Sequence, residues 1–212
     1  MAVRAKPGGL PPPGDSALRL PPPGLTAPRP GGLAGEELSA SVTHIVPLAQ
    51  IAPAQVEALL DRAFGPDRHG RTAYRIRAGT QAIPGLSFAA LDDAGGLLGT
   101  IQCWPIALAC DDGSSVPMVM VGPVAVEPAA QQGGVGRLLM RHMLEAADAS
   151  SAPLPLMLIG DPEYYGRFFG FDAAHTGGWR LPGPFEPRRL LARGGGIPDC
   201  TGELQARVSA TL

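Results

Sequence analysis

Val121-Gly-Pro-Val-Ala-Val-Glu-Pro-Ala-Ala-Gln-Gln-Gly-Gly-Val-Gly-Arg-Leu-Leu-Met140 is the stretch whose reading decides the fold. Val116–Val126 reads as a long apolar strand that Pro128 ends. A glycine-rich turn over 131–136 follows and feeds a helix from about Gly136 to Ala149, with Leu138, Leu139, His142, Met143 and Ala146 expected on one face. The first N–H groups of a helix lack intrahelical partners and carry partial positive charge, which suits them to phosphate or pyrophosphate. Glycines let the backbone approach such a ligand, and Arg137 adds a charge-assisted donor. Three phosphate motifs compete here. The P-loop needs Gly-Lys-Ser/Thr, and no lysine lies near. The dinucleotide fingerprint G-x-G-x-x-G fails at its third glycine, because Gly134-Val-Gly-Arg-Leu-Leu139 ends in leucine. The third pattern, Gln/Arg-x-x-Gly-x-Gly/Ala, is met in full by Gln131-Gln132-Gly133-Gly134-Val135-Gly136.

On the N-terminal side, Val42–Val46 reads as a strand, and Pro53 opens a helix with Val56, Leu59, Leu60 and Phe64 on one face. Gly65-Pro66 stops it, and a polar stretch from Asp67 to Gln81 leaves room for a second helix. Leu86–Leu91 and Leu97–Pro105 form a hairpin about Asp92–Gly96, and a second turn at Asp111–Gly113 leads into the long strand. On the C-terminal side, Leu154–Ile159 reads as a strand buried on both faces, and Pro162–Phe168 as a short helix that Asp161 caps. Weaker strands are expected beyond Phe171. Hairpins first and one β–loop–α–β crossover afterwards imply a mixed α/β (α+β) sheet with flanking helices, not a regular dinucleotide-binding repeat.

Residues 1–40 are set apart by Pro11-Pro12-Pro13-Gly14, Pro21-Pro22-Pro23-Gly24 and Gly31-Gly32, and are expected to be a disordered, polyproline-like arm before a single domain over 41–212. The formal net charge of −2 gives no electrostatic ground for nucleic acid or an anionic membrane. No apolar run approaches the roughly 20 residues of a membrane helix. Three cysteines, Cys103, Cys110 and Cys200, with no C-x-x-C, argue against a disulfide framework or a zinc cluster and for a reducing cytoplasm. Cys103 sits in an apolar strand and reads as core. His44, His69 and His142 lack metal-ligand spacing, so no metal is expected.

The second informative segment is Ile159-Gly-Asp-Pro-Glu-Tyr-Tyr-Gly-Arg-Phe-Phe-Gly-Phe171. Together with Gly122-Pro123-Val124-Ala125-Val126 and the turn at 131–136, it resembles the GNAT superfamily of N-acetyltransferases. The likeness is to a bacterial subgroup carrying Gly-Asp-Pro-x-Tyr-Tyr-x-Arg-Phe-Gly-Phe after the fifth strand. The resemblance spans roughly 41–212 and is strongest over 119–171. Phe168-Phe169 stands where that subgroup has one phenylalanine, so Tyr165 lies five residues before Gly170 and not four.

The resemblance implies acetyl-CoA as acyl donor and an amine as acceptor, with direct transfer in a ternary complex. It places the cofactor on Val124, Ala125, Val126, Gln131, Gln132, Gly133, Gly134, Val135, Gly136, Arg137, Tyr165 and Phe168. Val126 would offer its backbone N–H to the thioester oxygen. Tyr165, with Tyr164 as the alternate, would protonate the departing thiolate. Glu127, Glu163 and His175 are the candidates for a base. The acceptor stays open, as does a monomer or a homodimer. A non-catalytic acyl-CoA-binding module on the same fold would keep the turn without needing the tyrosine. An interaction protein working through its proline-rich arm would need neither.

Overall fold

The structure is a computed structural model that describes residues 42–208 of the 212-residue chain. The expected arm over 1–40 lies outside the described residues. The elements are β1 (His44–Pro47), α1 (Pro53–Phe64), α2 (Thr72–Ile76), β2 (Phe88–Leu91), β3 (Leu97–Cys110), β4 (Ser115–Val126), α3 (Val135–Asp148), β5 (Leu156–Ile159), α4 (Pro162–Phe169), β6 (Trp179–Arg180), β7 (Leu190–Arg193) and β8 (Gly202–Ala206). They build an eight-stranded sheet in the order β1-β2-β3-β4-β5-β7, with β8 paired to the far half of β3 and β6 to β8. Only β4–β5 and β6–β8 run parallel. This is the mixed, mostly antiparallel sheet with flanking helices that the sequence implied.

Each element follows from local chemistry. Pro53 opens α1, and Gly65 closes it with a φ of 86° that disfavours other residues. The Asp161 carboxylate accepts from the Glu163 N–H at 3.0 Å and caps α4, whose end is the left-handed Gly170. In α3, Val135, Leu139, Met140, Met143, Leu144 and Ala147 are buried. The expected face is therefore corrected by about one position. Leu138 is 39 % exposed, while His142 and Ala146 are half-buried. A stripe centred on Leu138 would have carried the polar His142 inward with it, one turn on. The rotated stripe instead lets the His142 ring pack edge-on against Phe88, 4.5 Å between centroids.

One irregularity in β4 sets up the site. Its pairing with β3 jumps from Cys103↔Val121 to Ile101↔Val124, so Gln102 alone faces Gly122-Pro123. An extra residue reverses the in–out alternation of everything after it. Val119 and Val121 before the bulge, and Val124 and Val126 after it, all join the core under α3 and α4. Met118 and Met120 face the opposite core with Ile76 of α2, and Ala125 packs on Val56, Leu59 and Leu60 of α1.

The expectation about the cysteines is overturned for one pair. Cys110 and Cys200 form a disulfide, with Cα atoms 5.9 Å apart and 90 residues between them in sequence. Counts and local spacing could not show this, because the pairing is made by the β3–β8 register, which sets Cys110 opposite Gly202. The ground for a reducing compartment goes with it. Cys103 is the free cysteine, fully buried, and burial raises its thiol far above the ordinary value. Thiol titration of the unfolded, unreduced chain is expected to find one reactive group, rising to three after reduction. Three before reduction would mean the disulfide is absent. Among the described residues no helix is long and apolar enough to cross a membrane.

Candidate functional site

β4 and β5 pair at only two positions, Val119↔Leu156 and Met120↔Met157, and then diverge. Past Met120, β4 therefore has a partner on its β3 side and a gap on the other. The Glu127 N–H donates to the Leu98 carbonyl on β3 at 2.8 Å. Successive residues of a strand turn their N–H and C=O to opposite edges, and the ladder is regular from Val124↔Ile101 to Val126↔Gly99. Val126 and Val124 consequently direct their backbone groups away from β3, into the gap. Ala125 turns its backbone towards β3 and its side chain towards α1, which leaves it as a spacer between two open pairs.

The turned-out edge leads into the glycine turn. Residues Pro128–Gly133 form a 3-10 turn, Gly134 takes φ 74° in the left-handed region, and α3 begins at Val135. Gly134 fills the cap position with no side-chain bond to the first turn, and that turn holds no acidic residue. Arg137 stands in it instead, exposed, with no carboxylate within ion-pair distance among the described residues. A cation at the positive end of a helix is unfavourable unless an anion joins it. Gln131, Gln132, Gly133, Val135 and Gly136 complete the turn, with Gly136 packed closely enough that a Cβ would lie 3.4 Å from Val126. α3 lies down on β3 because Gly99 has no side chain; a Cβ there would meet Val135 Cγ1 at 3.0 Å and Leu139 Cδ1 at 3.1 Å.

Helix α4 presents two tyrosines differently. Tyr164 is half-buried and shares a face with Phe168, 5.3 Å between ring centroids. Phe168 is 39 % exposed and lies under the Arg137 guanidinium at 5.4 Å, so both rings belong to the α3 turn. Burial raises the Tyr164 phenol, and Arg137 partly opposes this. Tyr165 points into the core, 3 % exposed, against Phe169 and Phe171. Its ring crosses the backbone just after β5, where a Cβ on Gly160 would meet its Cε2 at 2.4 Å. Burial first, and Tyr164 second, hold the Tyr165 phenol well above its ordinary range. The three candidate bases all have partners: Glu127 pairs with Arg62 at 2.8 Å, Glu163 pairs with Arg188, and the His175 ring lies 3.3 Å from the Asp199 carboxylate. Among the described residues no group of histidine, cysteine, aspartate or glutamate could hold a metal ion.

On the opposite face of β4 lies a feature the sequence reading missed. A small solvent-open pocket of about 70 Å³ is lined by Phe64, Arg68, Arg71, Tyr74 and Arg77 and by Met120–Pro123 of β4, with Ile159 at the end of β5. The segment from Asp67 to Gln81 read only as polar with room for a helix. Its tertiary partners are strands far away in sequence, and no local motif signals them.

The arrangement combines a helix start without a side-chain cap, a strand edge without a partner past Met120, and a pocket across the strand. Residues 48–174 match the acetyltransferase (GNAT) domain family, and the chain belongs to it. Among solved structures, the GNAT-family N-acetyltransferase YhbS from Escherichia coli, solved with CoA, superposes with a TM-score of 0.59 at 21 % identity, covering 82 % of this chain and 94 % of that one. A GNAT-family acetyltransferase from Brucella melitensis, solved with acetyl-CoA, gives a TM-score of 0.54 at 25 % identity over 78 % and 96 % of the two chains. No curated protein matches the sequence.

Proposed function

We propose that the protein is an acetyl-CoA-dependent N-acetyltransferase that moves the acetyl group directly to an amine within a ternary complex. The observation that carries this reading is the free edge of β4 at Val124 and Val126, continuous with the uncapped start of α3. Complexes of the Escherichia coli and Brucella melitensis structures with CoA and acetyl-CoA support the choice of donor.

The pyrophosphate sits on the N–H groups of 133–136, with Arg137 as the charged partner and Gln131 and Gln132 at its rim. The pantetheine arm extends along Val124–Val126 as an added strand would. The N–H of Val126, or that of Val124 nearer the acceptor pocket, donates to the thioester oxygen as it gains charge. Tyr165 gives its proton to the departing sulfur. Its raised pKa keeps it protonated through neutral pH, so it does not itself impose a falling limb below its ordinary value of about 10.

Calorimetric titration with acetyl-CoA tests the reading, followed by thiol release over a panel of primary amines. Micromolar binding and thiol release in the presence of an amine are expected. No binding would end the acetyltransferase reading. Binding without turnover on any amine would leave a non-catalytic acyl-CoA module.

A further inference from the structure

Arg77 is the residue of the pocket that the proposed reaction has not used. It is only 6 % exposed. Its guanidinium is stacked between two rings, 3.9 Å from the centre of Tyr74 and 4.1 Å from that of Trp104. One N–H donates to the Gly122 carbonyl at 3.4 Å, beside the bulge in β4. Trp104 contributes an unmet donor, since its buried Nε1 has no partner. A guanidinium carries five N–H groups and no acceptor. Among the described residues no carboxylate is within ion-pair distance of Arg77. The acids of α1 that lie nearby are engaged elsewhere: Glu57 and Asp61 both pair with Arg68.

A buried cation without a counter-ion is costly, and stacking on two rings offsets only part of that cost. Burial lowers the Arg77 pKa to about 10, which still leaves the side chain charged at pH 7. The charge is therefore present and buried on the wall of a solvent-open pocket, offset in part by Tyr74 and Glu57 but without a carboxylate in ion-pair contact. That pocket abuts the gap between β4 and β5, where the thioester lies in the proposed complex. Its other walls combine the apolar Phe64, Met120, Val121 and Ile159 with Arg68, Arg71 and Thr72.

We propose that this pocket selects an acceptor carrying its own carboxylate near the reacting amine, held by Arg77, with an apolar body against Phe64, Met120 and Ile159. The class is a small apolar amino acid. This rests on the acetyltransferase reading above. In the reaction the ammonium first loses a proton to water. The amine nitrogen attacks the thioester carbonyl carbon, the C–N bond forms, and the C–S bond breaks. The sulfur takes a proton from Tyr165, and the nitrogen's second proton restores the phenol through solvent. An amide and free CoA result. Arg77 touches only the carboxylate and orients the amine towards the gap.

The test begins with binding alone, on the full chain saturated with CoA. Titration with N-acetyl-L-leucine is expected to show about ten- to a hundredfold tighter binding than N-acetyl-L-leucinamide, the effect of charge-assisted hydrogen bonds in a buried site. In Arg77→Met the ratio falls to about one. In Arg77→Lys, which keeps charge but not the planar fork, it is intermediate. Acetyl-CoA titration of each variant verifies that it is folded. Equal affinity of the wild-type protein for the two ligands, or no binding of either, overturns this inference even if both variants misfold.

Thiol-release rates then compare L-leucine with L-leucinamide and isoamylamine. The amide is a weaker base than the amino acid and the simple amine is of similar or greater basicity, so a preference for leucine over both cannot come from amine pKa. Acetylation of the neutral amines as fast as leucine sinks the carboxylate proposal and leaves the acetyltransferase reading intact. Acetyl-CoA binding with no turnover of any of the three sinks both.

Discussion

Replacing Tyr165 by phenylalanine is expected to lower kcat by about ten- to a thousandfold, in the range of single general-acid contributions. The affinity for acetyl-CoA should change little, because the Tyr165 ring stays packed on Phe169 and Phe171 and only the hydroxyl is removed. The loss is partial because a departing thiol has a pKa of about 8.5 and can take its proton from water at a cost. Tyr164→Phe should show the opposite pattern. Its ring belongs with Phe168 and Arg137 at the pyrophosphate end, so the KM for acetyl-CoA rises by about two- to fivefold, the worth of one hydrogen bond, with kcat close to wild type. Steady-state kinetics of the two variants side by side separate the roles. An unchanged kcat in Tyr165→Phe removes it from the chemistry, and a collapse of kcat in Tyr164→Phe transfers the role to that residue. The pairing also answers the extra phenylalanine in α4. Measured from the cap at Asp161 the tyrosines keep their places, and the helix takes in Phe169 before Gly170 turns the chain.

The features that were legible are those written in local sequence. Pro53, Gly65, Asp161 and Gly170 mark helix ends by backbone chemistry that needs no tertiary context, and the runs in β3 and β4 are long enough to be read as strands. The turn at 131–136 was legible because glycines cluster there just before an amphipathic run, and Gly134 takes the left-handed conformation at the helix start. What stayed hidden depends on partners distant in sequence. The disulfide exists because β8 folds back on β3, and nothing near Cys200 announces that. The bulge at Gly122-Pro123 was visible as residues but not as a change of parity, since only the register with β3 shows that two residues oppose one. Arg77 looked like one arginine in a polar stretch. Its meaning comes from Trp104 and Gly122, which approach it from strands 27 and 45 residues further along. The shift in the buried face of α3 has the same origin: the apolar stripe is broad, and Gly99 and Phe88 on the sheet decide which edge turns inward.

Gly134→Glu is expected to abolish measurable acetyl-CoA binding, and two effects combine in it. Gly134 holds φ 74°, where an L residue is disfavoured by about 1–2 kcal/mol. The added carboxylate would also stand beside the N–H groups and Arg137 that receive the pyrophosphate. Two like charges 4 Å apart repel by about 4 kcal/mol at a surface-like dielectric, which is about a thousandfold in affinity. Gly134→Asn separates the two effects, because asparagine tolerates the left-handed conformation and brings no charge. Calorimetry should find its affinity reduced by no more than about tenfold, within the conformational penalty alone. Arg137→Gln, which removes the cation and strains nothing, should lose about tenfold, the worth of one charge-assisted contact. Loss of binding in all three variants to the same degree would mean that the turn fails by unfolding, and thermal melts would show it. Retained binding in Gly134→Glu would place the pyrophosphate elsewhere and remove the free edge of β4 from the cofactor's path.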